Sequence, residues 1–153
     1  MHMIAQSRAR LDAARSMSEL LSAAYQAFEQ MLATIRANED QAGSLFAAFV
    51  LAAASAADGR DALLAAPSLP LPLPAAPAPL IIGVGGTSGP ASDPAGLESI
   101  TDIADALADL SQLIAATLAR AARHVLNRAD QAACTEAARC AEAIWSLLAR
   151  PGP

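Results

Sequence analysis

Residues 43–57 are the stretch that most constrains this chain, because the run carries no charged side chain and so would present none on any side of a helix. A helix that is apolar all round is normally buried by its neighbours. The run is rich in alanine and falls well short of the roughly 20 strongly apolar residues of a membrane-spanning helix. It reads as a buried hub centred on Leu45, Phe46, Phe49, Val50 and Leu51, with the amphipathic segments before and after it as cover.

Composition favours helices over sheet. Hydrophobic residues make up 54% of the chain and aromatics 3%, so alanine and leucine must do most of the packing. Alanine has the best helix propensity and lets helix axes approach toward the short end of the usual range of about 8–10 Å. A chain of 153 residues fits one domain, and a globule of that size hides roughly 70% of the surface its unfolded chain exposes. All ten basic residues are arginine, and the net charge of −5 argues against a general binder of phosphate backbones. No nucleic-acid partner is expected. The first 16 residues hold arginines but neither a continuous apolar run nor a small-residue cleavage site, so the chain reads as cytoplasmic, with no secretory signal. Two cysteines do not make a disulfide framework.

Taken in order, Leu11, Ala14, Leu21, Phe28 and Ile35 recur at helical spacing and predict one amphipathic helix over 4–37, ~50 Å long at a rise of about 1.5 Å per residue. Asn38-Glu39-Asp40-Gln41 interrupts the pattern with capping residues and acids, which predicts a tight antiparallel turn into the hub helix. Asp58-Gly59 is the expected stop of that helix, with residues 60–66 continuing it or forming a separate turn. Eight of the ten prolines lie in 67–94; the first half of that stretch favours polyproline II, the second half is rich in glycine, and the whole reads as a crossover strap. Asp93-Pro94 is a good helix opening, and Ile100, Ala104, Leu107, Ile114, Leu118 and Val125 predict a second long helix to about 126. A turn at 127–130 leads to a last helix over 131–149, with Ala133, Ala137, Cys140 and Ile144 on its apolar face and Trp145 alongside.

The expected fold is all-α: a single domain in which two antiparallel helical hairpins, 4–66 and 94–150, form a four-helix bundle joined by a Pro/Gly-rich linker over 67–93. A shift of 90 residues lays Asp40-Gln41-Ala42 on Asp130-Gln131-Ala132 and one heptad pattern on the other, as a tandem repeat would and as two heptad patterns often do by chance. Parallel long helices would bring Arg8, Arg10 and Arg15 toward Asp102, Asp105 and Asp109.

Site chemistry is sparse. Ferritin-like carboxylate centres need Glu-x-x-His on two helices, and neither His2 nor His124 has a glutamate three residues before it. Cys134 and Cys140 are about 120° apart around a helix of 3.6 residues per turn, so with His124 they make a poor zinc set and read as buried, inert thiols, Cys140 on the apolar face and Cys134 on its flank. Glu98, Asp102, Asp105 and Asp109 share a helix face, but a row on the polar side is solvated and unsuited to general acid work. The glycine run 83–89 lacks both the lysine of a phosphate-binding loop and the sixth-position glycine of a dinucleotide fingerprint. No catalytic residue, cofactor or metal ligand is expected.

Tyr25-Gln26-Ala27-Phe28-Glu29 resembles the Tyr-x-x-x-Asp/Glu signal of type VII secretion substrates of the PE and WXG families. The resemblance covers five residues. It departs from those families in lacking a Trp-x-Gly turn, since Trp145 is followed by Ser146-Leu147, and in placing the signal on the first helix. The chain is not assigned to them on that basis.

The function expected is a non-enzymatic protein-interaction or assembly module that self-associates or binds a protein partner. The candidate core or interface residues are Phe28, Leu45, Phe46, Phe49, Val50, Leu107, Ile114, Leu118, Ile144 and Trp145. The alternatives are a ligand- or lipid-binding bundle whose cavity is lined by Phe28, Phe46, Phe49 and Trp145, and a secretion-associated helical protein of the type VII kind.

Overall fold

The computed structural model describes residues 2–70 and 99–149. Five α-helices make up the described fold: α1 (His2–Ala13), α2 (Met17–Asn38), α3 (Phe46–Leu64), α4 (Ile100–His124) and α5 (Arg128–Leu148). Two short 3-10 turns, Glu39–Gln41 and Gly43–Leu45, join α2 to α3. Among the described residues there is no strand. The strap reading of 67–93 and the helix opening at Asp93-Pro94 fall outside the described residues beyond Pro70.

The expected single helix over 4–37 is two helices. Ser16 takes an extended backbone conformation (φ −132°, ψ 161°), and its Oγ accepts a hydrogen bond from the Glu19 N–H at 3.1 Å. Glu19 answers by accepting the Arg15 N–H at 2.9 Å. This is the reciprocal logic of a capping box, in which a serine and a glutamate satisfy backbone donors that a fresh helix start leaves open. The apolar period runs straight through the break and so hides it. The shorter α1 packs against α2, with Ile4, Ser7 and Leu11 buried and Arg10 Nη1 donating to Gln26 Oε1 at 2.6 Å.

Burial on α2 is broader than its apolar stripe. Leu21, Ala24, Phe28, Met31 and Ile35 are sealed in the core, and so is a polar row at four-residue spacing, Gln26, Gln30, Thr34 and Asn38. Gln30 Nε2 donates to Thr34 Oγ1 at 3.3 Å and Asn38 Nδ2 to the Thr34 carbonyl at 2.7 Å, the internal pairing that buried polar groups require. Past Asn38 the chain turns at Gly43, whose φ of +57° is one that glycine adopts without steric penalty.

α3 does not stop at Asp58-Gly59 but runs on to Leu64. Gly59 is a buried mid-helix residue set against the Phe28 ring, and Arg60 Nη1 meets Glu29 Oε1 at 3.4 Å. With only residues 39–45 joining the two helices, contacts this deep in both require α3 to run antiparallel to α2. Beyond α3, the Ser68 N–H donates to Asp130 Oδ1 at 3.0 Å and the Ser68 hydroxyl donates to Asp130 Oδ2, so the end of α3 meets the start of α5 and those two helices are antiparallel as well.

α4 is capped by Ser99, whose Oγ accepts the Asp102 N–H at 3.1 Å. α5 opens earlier than the expected residue 131, because Asn127 Oδ1 accepts the N–H groups of Ala129 and Asp130 at 2.8 and 3.1 Å. Gln131 Nε2 reaches back to the Ala122 carbonyl at 3.0 Å and ties the connection between them.

Helix α4 packs on α5, α5 on α3 and α3 on α2, while α1 lies against both α2 and α4. The start of α2, at Met17 and Leu20, shares a cleft with Leu113, Thr117, Ala121 and His124 of α4. The two long helices are therefore antiparallel, not parallel, and Arg15 stands near Arg120 and His124 instead of the aspartates. Antiparallel helices set opposite dipole ends together, which the parallel arrangement would have opposed. The 90-residue shift lays buried Leu21, Ala24 and Phe28 onto buried Ser111, Ile114 and Leu118, but at the turn it does not join like with like: Asp40 is exposed in a 3-10 turn, whereas Asp130 is buried in α5.

The largest sealed side chains are Phe28 and Phe49, with Leu107, Ile114, Leu118 and Ile144 among those contributed by the second half. Alanines 24, 27, 52, 56, 137 and 141 are fully buried between them, which is how a chain poor in aromatics closes its interior. No helix among the described residues is long and apolar enough to cross a membrane.

Candidate interaction surface

The uncharged run is buried on one side only. Along α3, Phe49, Ala52, Ala53, Ala56, Gly59 and Leu63 face the interior. Phe46, Val50 and Leu51 are 49%, 42% and 55% exposed, and Ala47 and Ala54 are exposed with them. The all-round burial expected of the hub is thus corrected: α2 and α5 cover one side of α3, and the opposite side holds an apolar face at helical spacing. Absence of charge makes a helix face apolar, but it does not say whether the chain's own helices cover that face.

Acids bracket this face. Glu39 and Asp40 lie in the turn before it, and Asp58 and Asp61 follow Ala54. Asp61 is partly neutralised by Arg60 Nε at 3.1 Å, while Arg60 also reaches Glu29.

The other candidate residues divide cleanly. Phe28, Phe49, Leu107, Ile114, Leu118 and Ile144 are fully buried, and Leu45 is half-buried at the start of α3. Trp145 is partly exposed and lines a shallow cleft of about 380 Å³ with Ala115, Ala116 and Ala119 of α4. Phe28, Phe46, Phe49 and Trp145 are therefore not brought to one cavity.

Two exposed apolar residues escaped the sequence reading. Leu64 is 49% exposed on the part of α3 beyond Gly59, and Leu126 is 98% exposed in the connection between α4 and α5. Leu64 was legible only if the helix was carried past Asp58-Gly59. Leu126 sits between a helix end and an asparagine cap, where periodicity says nothing about direction.

Leu126 is held out by its neighbours. The Val125 N–H donates to the Ala121 carbonyl at 3.0 Å and Val125 is half-buried, while Asn127 caps α5. Around it the surface is basic: Arg123, His124 and Arg128 are all exposed. On the same end, Arg15, Arg120 and His124 line the cleft between α2 and α4, together with Asp12. The opposite end, where α2 turns into α3 and α4 begins, carries Glu39, Asp40, Asp102 and Asp105, and also Arg36. Among the described residues the antiparallel packing thus gathers arginines at one end, where Asp12, Glu19 and Asp61 are also exposed, and mostly acids at the other.

The groups weighed for chemistry are placed as follows. Cys134 and Cys140 are both buried free thiols, Cys134 completely so, and not on the flank expected of it. Burial, reinforced by Asp130 near Cys134 and by Glu136 and Asp58 near Cys140, pushes each thiol up to about 11. Asp102 and Asp109 are exposed and Asp105 half-buried; Glu98 and the glycine run 83–89 lie outside the described residues. Among the described residues no group of three or more histidine, cysteine, aspartate or glutamate side chains is placed to hold a metal ion. The Tyr25–Glu29 pentad sits at the contact of α2 with α3. Phe28 fills the core there and Glu29 meets Arg60, while partial burial and the neighbouring Glu29 carboxylate raise the Tyr25 hydroxyl above its usual value. Comparison of the chain with protein-family models, with curated proteins and with solved structures finds no match.

Proposed function

We propose that this protein is a non-enzymatic assembly module that self-associates through the outer face of α3. The observation carrying this reading is the exposed apolar face of Phe46, Ala47, Val50, Leu51 and Ala54 on a helix whose other side is sealed. Contiguous exposed apolar surface marks an interaction site far more often than a scattered leucine does. In this reading α2 to α5 make a four-helix bundle, α1 is a strut across the wider α2/α4 side, and residues 67–93 are the crossover between the hairpins.

A non-enzymatic role is supported by what surrounds the reactive groups. Thiols pushed up to about 11 are poor nucleophiles at neutral pH, and the exposed Asp102 and Asp109 lack the desolvation that makes a general acid. Buried free thiols also accord with a cytoplasmic protein. The lipid-binding alternative is less well supported, because Phe28 and Phe49 are in the packed interior and Phe46 is on the outside.

Sedimentation equilibrium at tens of micromolar tests the proposal. The wild-type chain is expected to exceed the monomer mass, and Val50→Asp to return toward it with its helical circular dichroism retained. A wild type that stays monomeric throughout would rule the reading out.

A further inference from the structure

Resting on the self-association reading, we infer that the assembly is head-to-tail: Leu126 of one copy seats on the α3 face of the next, at Phe46, Val50 and Leu51. Three observations lead there. Leu126 is 98% exposed yet displayed on a tied-down connection, between the half-buried Val125 and the Asn127 cap. An apolar group held ready in this way loses little conformational freedom on docking. The charges around the two surfaces are opposite, Arg123, His124 and Arg128 beside Leu126 against Glu39, Asp40 and Asp58 around the α3 face, so encounter is steered into this register. And the two surfaces lie toward opposite ends of the molecule, since Phe46 opens α3 beside the α2 turn whereas Leu126 lies at the end where α5 begins.

A two-fold dimer through α3 lacks these advantages. It would set an acid-bracketed face against a copy of itself, bringing Asp40 and Asp58 of one chain toward acids of the other, and like charges so placed are unfavourable. Two different patches on one chain make a heterologous contact, which closes into a ring or continues as an open filament.

The test is a complementation between Leu126→Asp and Val50→Asp. Each variant keeps one patch and loses the other, so each alone is expected to associate at least tenfold more weakly than wild type. An equimolar mixture is expected to form a species of two chains and no larger, because the Leu126→Asp chain supplies an intact α3 face and the Val50→Asp chain an intact Leu126. Arg123→Glu with Arg128→Glu is expected to weaken wild-type assembly, and Arg139→Glu, elsewhere on α5, to leave it unchanged. If wild type associates while Leu126→Asp associates equally well, or the mixture yields no two-chain species, the head-to-tail arrangement is overturned and self-association stands. If wild type itself is monomeric, both fall.

Discussion

The ring of Phe28 rests directly on the backbone of Gly59: a Cβ added to Gly59 would stand 2.5 Å from Cε1 and 2.6 Å from Cζ of that ring. Both residues are buried, so neither the ring nor the helix carrying the glycine has free space to move into. The glycine is what allows α2 and α3 to approach at this level.

Gly59→Ala should therefore destabilise the fold even though alanine is the better helix former. Overpacking costs about 1–3 kcal/mol, offset by about 1 kcal/mol of helix propensity, for a net loss of up to roughly 2 kcal/mol. Urea denaturation measures it. In a Phe28→Leu background the penalty should shrink or reverse, and a cycle of the four proteins that gives simple additivity would refute the contact as its cause.

Phe46 and Phe49 stand three residues apart on α3 and should respond oppositely. Phe49→Ala opens a sealed core position and should cost about 3–5 kcal/mol. Phe46→Ala trims a side chain that is half in water and should change monomer stability by less than about 1 kcal/mol while weakening self-association. Denaturation at sub-micromolar protein, read beside sedimentation, separates the two effects.

Asp130 ties two segments far apart in sequence through its bonds from the backbone and hydroxyl of Ser68, and its carboxylate sits in the first turn of α5, where negative charge is favoured. Asp130→Ala should cost about 1.5–3 kcal/mol, the range for hydrogen bonds to a charged group. Limited proteolysis should show faster cleavage around residues 65–70 than in wild type, and equal rates would mean that Ser68 is held by something else.

The two thiols give the fold an alkaline limit. Their folded values of about 11 lie above the ordinary 9.0, so the stabilisation is complete below pH 9, where both states keep the proton. Above it the unfolded chain releases protons that the folded chain retains, and stability falls from pH 9 to about 11 by on the order of 2–3 kcal/mol per thiol. Urea midpoints at pH 8 and pH 10.5 should therefore drop less in Cys134→Ala/Cys140→Ala than in wild type. In native wild type at pH 8, Ellman's reagent should label neither thiol.

Much of this architecture is legible in the sequence, and the places where it is not have local causes. The periodic positions of α4 and α5 mark Leu107, Ile114, Leu118 and Ile144 as core, and they are buried. The same periodicity concealed the break at Ser16, because the apolar rhythm continues across it; the Ser16-x-x-Glu19 spacing was the contrary signal. Asp58-Gly59 looked like a helix stop because glycine ends helices, and only the Phe28 ring across the interface explains its mid-helix place. At the candidate surface the uncharged run identified α3 as special. Which of its sides faces water depends on where α2 and α5 lie, and that is a tertiary fact no single helix encodes.

Because α2, α3, α5 and α4 each pair with an antiparallel neighbour, the peptide dipoles of these four helices largely cancel along the axis, and most of the lopsided field that remains comes from side chains. A protein of net charge −5 then offers a cationic pole to whatever approaches from the Leu126 side. At low salt such a molecule adheres to a negatively charged chromatography resin that its overall charge would repel, and it does so in one orientation.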